Sequence, residues 1–500
     1  MNFTRSSGIL LHITSLPSKY GIGDIGEQAY RFVDFLKMSH QKLWQILPIG
    51  PVGVEGSPYQ SFSAFAGNPL LIDIDGLADR GLLNNDELVP LIVKNEEEIE
   101  FDSVKKHKEI LLKLAFKRFK ERASDNNDYL AFVEKNSFWL ETYGLFMALY
   151  SYFGNIPWNC WETSIAFRKE NSVIHYKKLL KDEIEYHSFC QYIFFDQWSK
   201  LKQYAENSGI KIIGDMPIFA SYNSSDVWAN PHMFNLNRIG EPITRAGVPP
   251  DYFSETGQLW GNPHYRWDEM EKEDYLWWRQ RLSTLLEIVD IIRLDHFRGF
   301  EAYWEVSAKA KNAKDGRWVK GPGEGFFKVL QDYLGDIPII AEDLGVITSE
   351  VRELKKKLGF PGMIVLQFAL ESGKSAEFLP EKHDSNNVIY TGTHDNDTIL
   401  GWYTKQKDKD TKVIKILKKY FGFDINMTEK EICWNFIEIA FMSRANYAVI
   451  PLQDVLCLGS YARMNLPGTS YGNWKWRFKE GALNEVISEK LAEVTKKYNR

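Results

Sequence analysis

The segment IVDIIRLDHFRGF, residues 288–300, is a short apolar run that passes into polar residues and a glycine. A nearly continuous apolar run of this length is typical of a strand buried on both faces, as in a parallel sheet covered by helices. Seven further segments have the same form: GILLHITSLP (8–17), LWQILPIG (43–50), IKIIGDMPIFA (210–220), DIPIIAEDLG (336–345), GMIVLQF (362–368), NVIYTGTHD (387–395) and YAVIPLQDVL (447–456). The sequence thus predicts eight buried strands.

Helix-like segments separate several of these strands, for example PGEGFFKVLQDYLG (322–335) and SEVRELKKKLG (349–359). Eight alternating β/α units predict an α/β fold of the (β/α)8 TIM-barrel type. A doubly wound open sheet is the alternative architecture, but no GxGxxG motif follows an early strand, as it does in dinucleotide-binding sheets of that kind. We therefore predict one catalytic (β/α)8 barrel over residues 1–500, with helical and loop insertions.

Two intervals between the predicted strands do not have the barrel pattern. Residues 75–205 are charged and helical in pattern, and include the amphipathic stretch 129–153; we interpret them as a mostly helical insertion after strand 2. Residues 221–275 are rich in glycine, proline, asparagine and aromatic residues. Since long loops without periodicity are usually functional, we expect an active-site loop region after strand 3.

Composition excludes several classes of function. The net charge of −6 provides no basic field for nucleic acid. No apolar run approaches the length of about 18 residues needed to cross a membrane. The four cysteines show no CxxC spacing, and the amino terminus has no apolar stretch typical of a signal peptide, so we predict a cytoplasmic location. The high aromatic content, 14 %, is explained either by a large core or by stacking against sugar rings, and composition does not separate the two.

Acidic residues recur where the predicted strands end: Asp215 in GDMP, Asp295 in RLDHFRG, Glu342 and Asp343 in AEDLG, and Asp395 in THDND. In a barrel the carboxyl ends of the strands form the face that carries the chemistry. A single acid at such a position is most often a helix cap or a turn residue. The recurrence at four strands indicates an active site built from these acids.

Arg293 and Asp295 are two residues apart on one predicted strand, so their side chains point to the same side. If that side is the barrel lumen, the buried guanidinium keeps the carboxylate ionised, as a nucleophile requires. A structural ion pair is the alternative interpretation.

Glu342 follows the apolar run PIIA, and partial desolvation there would raise its pKa, which suits a general acid. The adjacent Asp343 should point the opposite way. His394, beside Asp395, could donate a hydrogen bond to a sugar hydroxyl, although a structural histidine is equally consistent with the spacing.

Two acids acting across one bond, one protonated and one ionised, are the requirement of glycoside cleavage. A third carboxylate can hold substrate hydroxyls or favour an oxocarbenium-like transition state. The competing hypothesis is a Mg²⁺ site with Asp215, Asp295 and Glu342 as ligands and His394 as base. Since Arg293 would compete with the cation, we expect no metal and no cofactor, and a chelator tests this.

At these residues the sequence resembles a known family. RLDHFRGFEAYW (293–304), IIAEDLG (339–345) and YTGTHDNDT (390–398) resemble the three catalytic motifs of the amylomaltases, the 4-α-glucanotransferases of glycoside hydrolase family 77. The resemblance extends from end to end, through SSGILLHITSLPSKYGIGDIG (6–26), WQILPIGPVG (44–53), SPYQSFSAFAGNPLLID (57–73), IIGDMPIFAS (212–221), GVPPDYFSETGQLWGNPHYRW (247–267) and ARMNLPGTSYGNWKWR (462–477).

The resemblance implies a role for each acid. Asp295 would be the nucleophile that forms a β-linked glucosyl-enzyme, Glu342 the acid and base, and Asp395 the group that distorts or holds the sugar ring and stabilises the transition state. It further implies that substrate is bound by Tyr59, Asp215, Tyr252, Phe253, Gln258, Trp260, Asn262, Arg293, His296, His394 and Asn465.

The implied reaction is a retaining disproportionation: an α-1,4-glucan segment is transferred to the 4-hydroxyl of glucose, maltose or a longer malto-oligosaccharide. Hydrolysis of the same covalent intermediate by water is the alternative, and a non-catalytic glucan-binding barrel is a third. The residues by themselves do not separate transfer from hydrolysis; the resemblance favours transfer.

Overall fold

The computed structural model describes residues 4–53, 55–122, 127–250, 254–424 and 426–500. The strands within these residues, numbered in chain order, are β1 Ser6–Leu10, β2 Leu43–Gln45, β3 Lys211–Met216, β4 Thr244–Val248, β5 Gln258–Pro263, β6 Ile291–Leu294, β7 Ala302–Ser307, β8 Gly316–Lys320, β9 Ile339–Ala341, β10 Gly362–Val365, β11 Asn387–Tyr390 and β12 Tyr447–Pro451.

Eight of these strands form one parallel sheet in the order β10-β11-β12-β1-β2-β3-β6-β9. The amide of Ala341 in β9 donates to the carbonyl of Pro361, just before β10, at 2.9 Å, so the two edges of the sheet approach each other. Seven of the eight predicted segments contain one whole strand of this sheet, and the first, 8–17, contains the last three residues of β1. The prediction of a TIM-type barrel is confirmed.

Both faces of the barrel strands are buried, which explains their continuous apolar runs. Ile212, Ile213, Ile292 and Ile340 are each 0 % exposed. The helices that accompany them are α1 Glu27–Met38, α2 Asp75–Asp79, α3 Phe101–Glu121, α4 Asn127–Lys135, α5 Leu140–Tyr152, α6 Thr163–Ala166, α7 Glu170–Leu179, α8 Lys181–Asn207, α9 Ser225–Ala229, α10 Trp267–Glu271, α11 Leu276–Ile288, α12 Gly323–Leu334, α13 Ser349–Leu358, α14 Leu366–Ser372, α15 Ser375–Phe378, α16 Ile399–Asp408, α17 Lys412–Phe421, α18 Glu429–Met442, α19 Leu452–Val455 and α20 Glu485–Lys497. None of these helices is long and apolar enough to cross a membrane.

The interval 75–205 contains α2 to α8, between β2 and β3. Its last helix, α8, continues to Asn207 and lies against the barrel: the Trp198 indole donates to the carbonyl of Ile288 at 2.8 Å. Gln191 on the same helix exchanges two hydrogen bonds with the backbone of Gly67, at 2.7 and 2.9 Å. This helix is therefore the crossover that leads into β3, while the helices before it form the addition to the barrel.

The interval 221–275 contains α9, β4, β5 and α10, where the sequence analysis expected a loop region. The strands β4 and β5 pair antiparallel with each other, and β4 also pairs with β7, which pairs with β8. No pattern in the sequence predicted this four-stranded sheet. The strands β4 and β5 belong to the segment after β3, and β7 and β8 belong to the segment after β6. The sheet therefore joins these two segments and covers one side of the barrel mouth.

Candidate active site

The carboxyl ends of β3, β6, β9 and β11 bring acidic side chains to one mouth of the barrel. Asp215 is the penultimate residue of β3, Asp295 directly follows β6 and Glu342 directly follows β9. The registers pair Asp215 with Arg293 and Leu294 with Ala341, so these acids stand on neighbouring strands. Asp215, Asp295 and Glu342 thus lie at the carboxyl ends of three adjacent strands, the end at which the loops of a barrel build a binding site.

Arg293 joins two of these acids. One terminal nitrogen of its guanidinium, Nη1, lies 2.7 and 2.6 Å from the two oxygens of Asp215 and 3.0 Å from Oδ1 of Asp295. The Arg293 and Asp215 side chains are 4 % and 0 % exposed. Burial opposes the charge of Arg293, but the two carboxylates more than offset this, and the pKa of Arg293 lies above its ordinary value.

This guanidinium also bears on the metal hypothesis of the sequence analysis. It occupies the space between Asp215 and Asp295 where a shared divalent cation would have to bind. Among the residues that the structure describes, no group of three histidine, cysteine, aspartate or glutamate side chains could hold a metal ion.

Asp295 is the more accessible member of the cluster, with 27 % of its side chain exposed. Burial raises its pKa well above the ordinary value, the Arg293 guanidinium lowers it, and the neighbouring carboxylates of Asp215 and Glu342 raise it again. A charge-assisted contact with arginine stabilises the ionised form. The contact with Arg293 is thus the interaction that favours the ionised form of Asp295 against the effect of its burial.

Glu342 is held against the residue that follows Asp295. Its Oε2 accepts from the backbone N–H of His296 at 2.8 Å, and its Oε1 from that of Leu344 at 2.9 Å. His296 adopts a left-handed backbone with φ of 51°, which is costly for a residue with a side chain. This strained turn directs the amide toward Glu342 and holds the carboxyl of Glu342 beside Asp295.

Burial raises the pKa of Glu342, while Arg293 and the two backbone amides lower it. Since Glu342 and Asp295 interact electrostatically, the proton that they share belongs to the pair. The direct guanidinium contact favours the charge on Asp295, and so the proton on Glu342.

The adjacent acid, Asp343, points away from the mouth. It accepts from the Lys355 ammonium at 2.5 Å and from the amide of Met363 at 2.8 Å. These bonds tie β9 to α13 and β10. The expectation that Glu342 and Asp343 face opposite sides is met.

Asp395 follows β11 and is held from the opposite side of the mouth. The side-chain amide of Asn465 donates to its Oδ1 at 2.6 Å, and Arg463 donates to its backbone carbonyl at 2.5 Å. Its side chain is 47 % exposed, so it remains available to a ligand. Asn465, predicted to line the substrate groove, thus contacts Asp395 directly.

A stack of rings lines the wall between these two sides. The Tyr59 hydroxyl donates to Oδ2 of Asp215 at 2.8 Å and lies 2.9 Å from Nε2 of His394. The two rings stack with centroids 5.2 Å apart, and Trp474 packs on both, at 5.7 and 5.9 Å. Burial lowers the pKa of His394 and raises that of Tyr59, so both side chains are neutral hydrogen-bonding groups.

The loop region contributes Gln258, Trp260 and Asn262 on β5. The Trp260 ring meets the His296 ring edge to face at 4.9 Å, and its indole N–H donates to Gln258 at 3.2 Å. Asn262 is buried and donates to the carbonyl of Ala220 at 2.9 Å, which anchors β5 to the loop after β3. Burial lowers the pKa of His296 to about 3, so this side chain is also neutral.

Two predicted residues, Tyr252 and Phe253, lie outside the described residues. Conversely, Trp474 and Arg463 contact the site although the sequence analysis did not single them out. Both fall within ARMNLPGTSYGNWKWR (462–477), the motif from which only Asn465 was selected. The sequence motif was recognised, but only the fold shows which residues of the motif lie at the barrel mouth.

Asp215→Asn tests the buried ion pair. The substitution removes the charge that makes the two shortest contacts of the buried Arg293 guanidinium and leaves only the more exposed Asp295 carboxylate beside it, so we expect about 3 kcal/mol of lost stability, measured as a lower melting temperature. Glu324→Gln, which breaks the exposed pair of Glu324 with Lys357, should change the melting temperature little. Equal melting temperatures for Asp215→Asn and the wild type would show that the pair does not stabilise the fold.

Comparison with known proteins gives the family. The family model for 4-alpha-glucanotransferase matches residues 11–484. The chain is 46 % identical to the 4-alpha-glucanotransferase of Thermus thermophilus over 99 % of this chain and 100 % of the relative. It is 42 % identical to the chloroplastic/amyloplastic 4-alpha-glucanotransferase of Solanum tuberosum over 100 % of this chain and 87 % of the relative.

Two solved amylomaltase structures have the same fold as this chain. Amylomaltase from Streptococcus agalactiae in complex with acarbose superimposes with a TM-score of 0.94, at 38 % identity and 99 % coverage of both chains. Amylomaltase from Corynebacterium glutamicum, at 17 % identity, shares the fold with a TM-score of 0.79 over 98 % of this chain and 75 % of that one. The chain belongs to the 4-alpha-glucanotransferase family, glycoside hydrolase family 77.

Proposed function

We propose that the barrel mouth of this protein catalyses the reaction of its family, transfer of an α-1,4-glucan segment, by double displacement on Asp295. The observation that supports this most directly is the bond from the amide of His296, the residue after Asp295, to the carboxyl of Glu342 at 2.8 Å. It holds an acid and a nucleophile side by side on neighbouring strands. A retaining transfer requires such a pair.

In the first step, Asp295 attacks the anomeric carbon of the bound glucose residue and the glycosidic bond breaks. Glu342 gives its proton to the departing glucan oxygen, which leaves as a free 4-hydroxyl. The product is a β-linked glucosyl-enzyme. Arg293 supports this step because its contact with Asp295 favours the ionised nucleophile.

In the second step, the 4-hydroxyl of an acceptor attacks the same carbon and the bond to Asp295 breaks. Glu342, now ionised, takes the proton of that hydroxyl, and the α-configuration is restored. We infer that glucose, maltose or a longer malto-oligosaccharide serves as the acceptor. Asp395 holds hydroxyls of the reacting ring and favours the positive charge of the transition state.

The neutral groups around the mouth suit an uncharged substrate with many hydroxyls. His394 and His296 can each donate or accept a hydrogen bond, and Trp260 offers an apolar ring face. Sites of this kind orient a ligand through a few placed polar groups on a largely apolar wall. These residues would therefore bind a substrate of the class that the family transfers, an α-glucan.

We also propose a cytoplasmic location. All four cysteines, Cys160, Cys190, Cys433 and Cys457, are free thiols, which is usual in a reducing compartment.

Incubation with maltotriose tests the reaction. Transfer yields glucose and a ladder of longer malto-oligosaccharides while the total number of reducing ends stays constant. If reducing ends rise in step with the maltotriose consumed, the enzyme is a hydrolase and the proposal of transfer is wrong.

The pH dependence of kcat/KM reports the acid–base pair. The acid form of Glu342 is present below its pKa, so activity should fall as pH rises through that value. The ionised form of Asp295 is present above its pKa, so activity should fall as pH drops through that value. Because burial raises both pKa values, we expect both limbs of the maltotriose profile above the ordinary carboxyl pKa of about 4. An acid limb at or below that ordinary value would contradict this account of the pair.

A further inference from the structure

Two tyrosines near the barrel mouth are more exposed than any other aromatic side chain that the structure describes. Tyr471 is 90 % exposed and Tyr461 is 72 % exposed. A tyrosine ring is a large apolar surface that folding usually covers, at least in part. Neither residue belongs to the hydrophobic clusters of the described part of the chain, so core packing does not explain these rings.

Tyr471 stands on an ordered loop. The amide of Trp474 donates to the carbonyl of Met464 at 2.7 Å, which closes the loop at its base. Within it, the Asn473 side chain accepts from the amide of Leu466 at 2.9 Å and donates to the carbonyl of Thr469 at 3.0 Å. The loop therefore presents an exposed ring on a fixed backbone.

The base of this loop is part of the active site. Trp474 packs on His394 at 5.9 Å, and three residues of chain place Tyr471 within about 10 Å of Trp474. Tyr461 lies two residues before Arg463 in the sequence. Arg463 donates to the backbone carbonyl of Asp395 at 2.5 Å. The backbone that carries each ring is thus connected, within three residues, to the side of the mouth that Asp395 occupies.

We propose that Tyr461 and Tyr471 bind the part of an α-glucan chain that extends out of the catalytic mouth past Asp395. A glucose residue has apolar C–H faces and a rim of hydroxyls, so a tyrosine ring can stack on the face while its phenol bonds the rim. Exposed rings on an ordered loop bind without a large ordering cost. The inference rests on the proposed function, since it assigns these rings to the same substrate.

The proposal makes chain length the decisive variable. A short substrate such as maltotriose is held by the mouth itself and does not need the rings. A long donor or acceptor reaches them and gains affinity. The two tyrosines would then set a preference for long glucans without touching the reacting bond.

The test compares Tyr461→Ala, Tyr471→Ala and the double variant with wild type on maltotriose, maltoheptaose and amylose. We expect the double variant to raise KM for amylose about fivefold to tenfold, by loss of aromatic contact area, with maltotriose kinetics unchanged. Tyr471→Phe keeps the ring and should retain most of the amylose affinity. Tyr420→Ala, which removes a half-exposed tyrosine on α17, is the matched control and should match wild type on every substrate.

Three outcomes would overturn the proposal. Unchanged amylose kinetics in the double variant would show that the rings do not bind glucan. An equal loss on maltotriose would show that they act by positioning Asp395. Conversion of a wild-type dimer to a monomer by the double variant, with unchanged amylose kinetics, would assign them to an interface between two copies. A wild type that only hydrolyses would instead reject transfer and leave the chain-length comparison intact.

Discussion

Asp295→Asn should lower kcat for maltotriose disproportionation by about 10⁵-fold, the scale of loss seen when a covalent nucleophile is removed. Asparagine has the same shape and can still accept from Arg293, but its amide cannot displace a glucan oxygen. Because 27 % of the side chain is exposed and Arg293 keeps its contacts with Asp215, we expect little change in melting temperature. Glucose release and thermal unfolding, measured on one preparation, check both expectations.

Asp343→Asn is the matched control for this loss. Asp343 is adjacent to Glu342 but contacts Lys355 and the amide of Met363, outside the mouth. Its replacement should lower stability and leave most of the turnover. If the two variants lose turnover equally, the assignment of the nucleophile to Asp295 is wrong.

The barrel could be predicted because its strands are buried on both faces, so each strand is a continuous apolar run in the sequence. The residues at which the strands begin and end could not be predicted in the same way. In LWQILPIG only Leu43–Gln45 is a strand, although Ile46 and Leu47 are 1 % exposed. Burial makes a segment apolar whether or not its backbone pairs in a ladder, so the sequence gives the segment and not the register.

The antiparallel sheet of β4, β5, β7 and β8 shows a different limit. At Gly247 a side chain would meet the carbonyl of Gln258 at 2.1 Å, so only glycine allows the two strands to approach. A strand that needs such a glycine resembles a loop in sequence. The strand β4 also pairs with β7, which is more than fifty residues distant in the sequence. No local sequence pattern indicates that pairing.

The contact between Arg293 and Asp295 could be predicted because the two residues are close in the sequence. Arg293 lies on β6 and Asp295 directly follows it, so the two-residue period of an extended backbone placed their side chains on the same side. The bonds between Arg293 and Asp215 depend on the register between β3 and β6, which a sequence does not contain. Trp474 and Arg463 reach the mouth only because the chain returns to it after β12.

Glu342→Gln separates the two halves of the proposed mechanism. Glutamine cannot donate a proton to the leaving glucan or take one from the acceptor, so turnover of maltotriose should fall about 10³-fold to 10⁴-fold. An α-glucosyl fluoride donor needs no protonation, because fluoride leaves unassisted. With this donor we expect one equivalent of fluoride to be released rapidly, followed by slow turnover.

The slow phase identifies the nucleophile as well as the base. Without an ionised Glu342 the acceptor hydroxyl is not activated, so the glucosyl-enzyme accumulates, and mass spectrometry of its peptides should find the glucosyl group on Asp295. Azide needs no base and should restore turnover, giving glucosyl azide of α-configuration because both displacements invert the anomeric carbon. A glucosyl azide of β-configuration would mean direct displacement at the fluoride donor, without Asp295 as the intermediate carrier. A label on any other carboxyl would move the nucleophile away from the Arg293 contact on which the assignment depends.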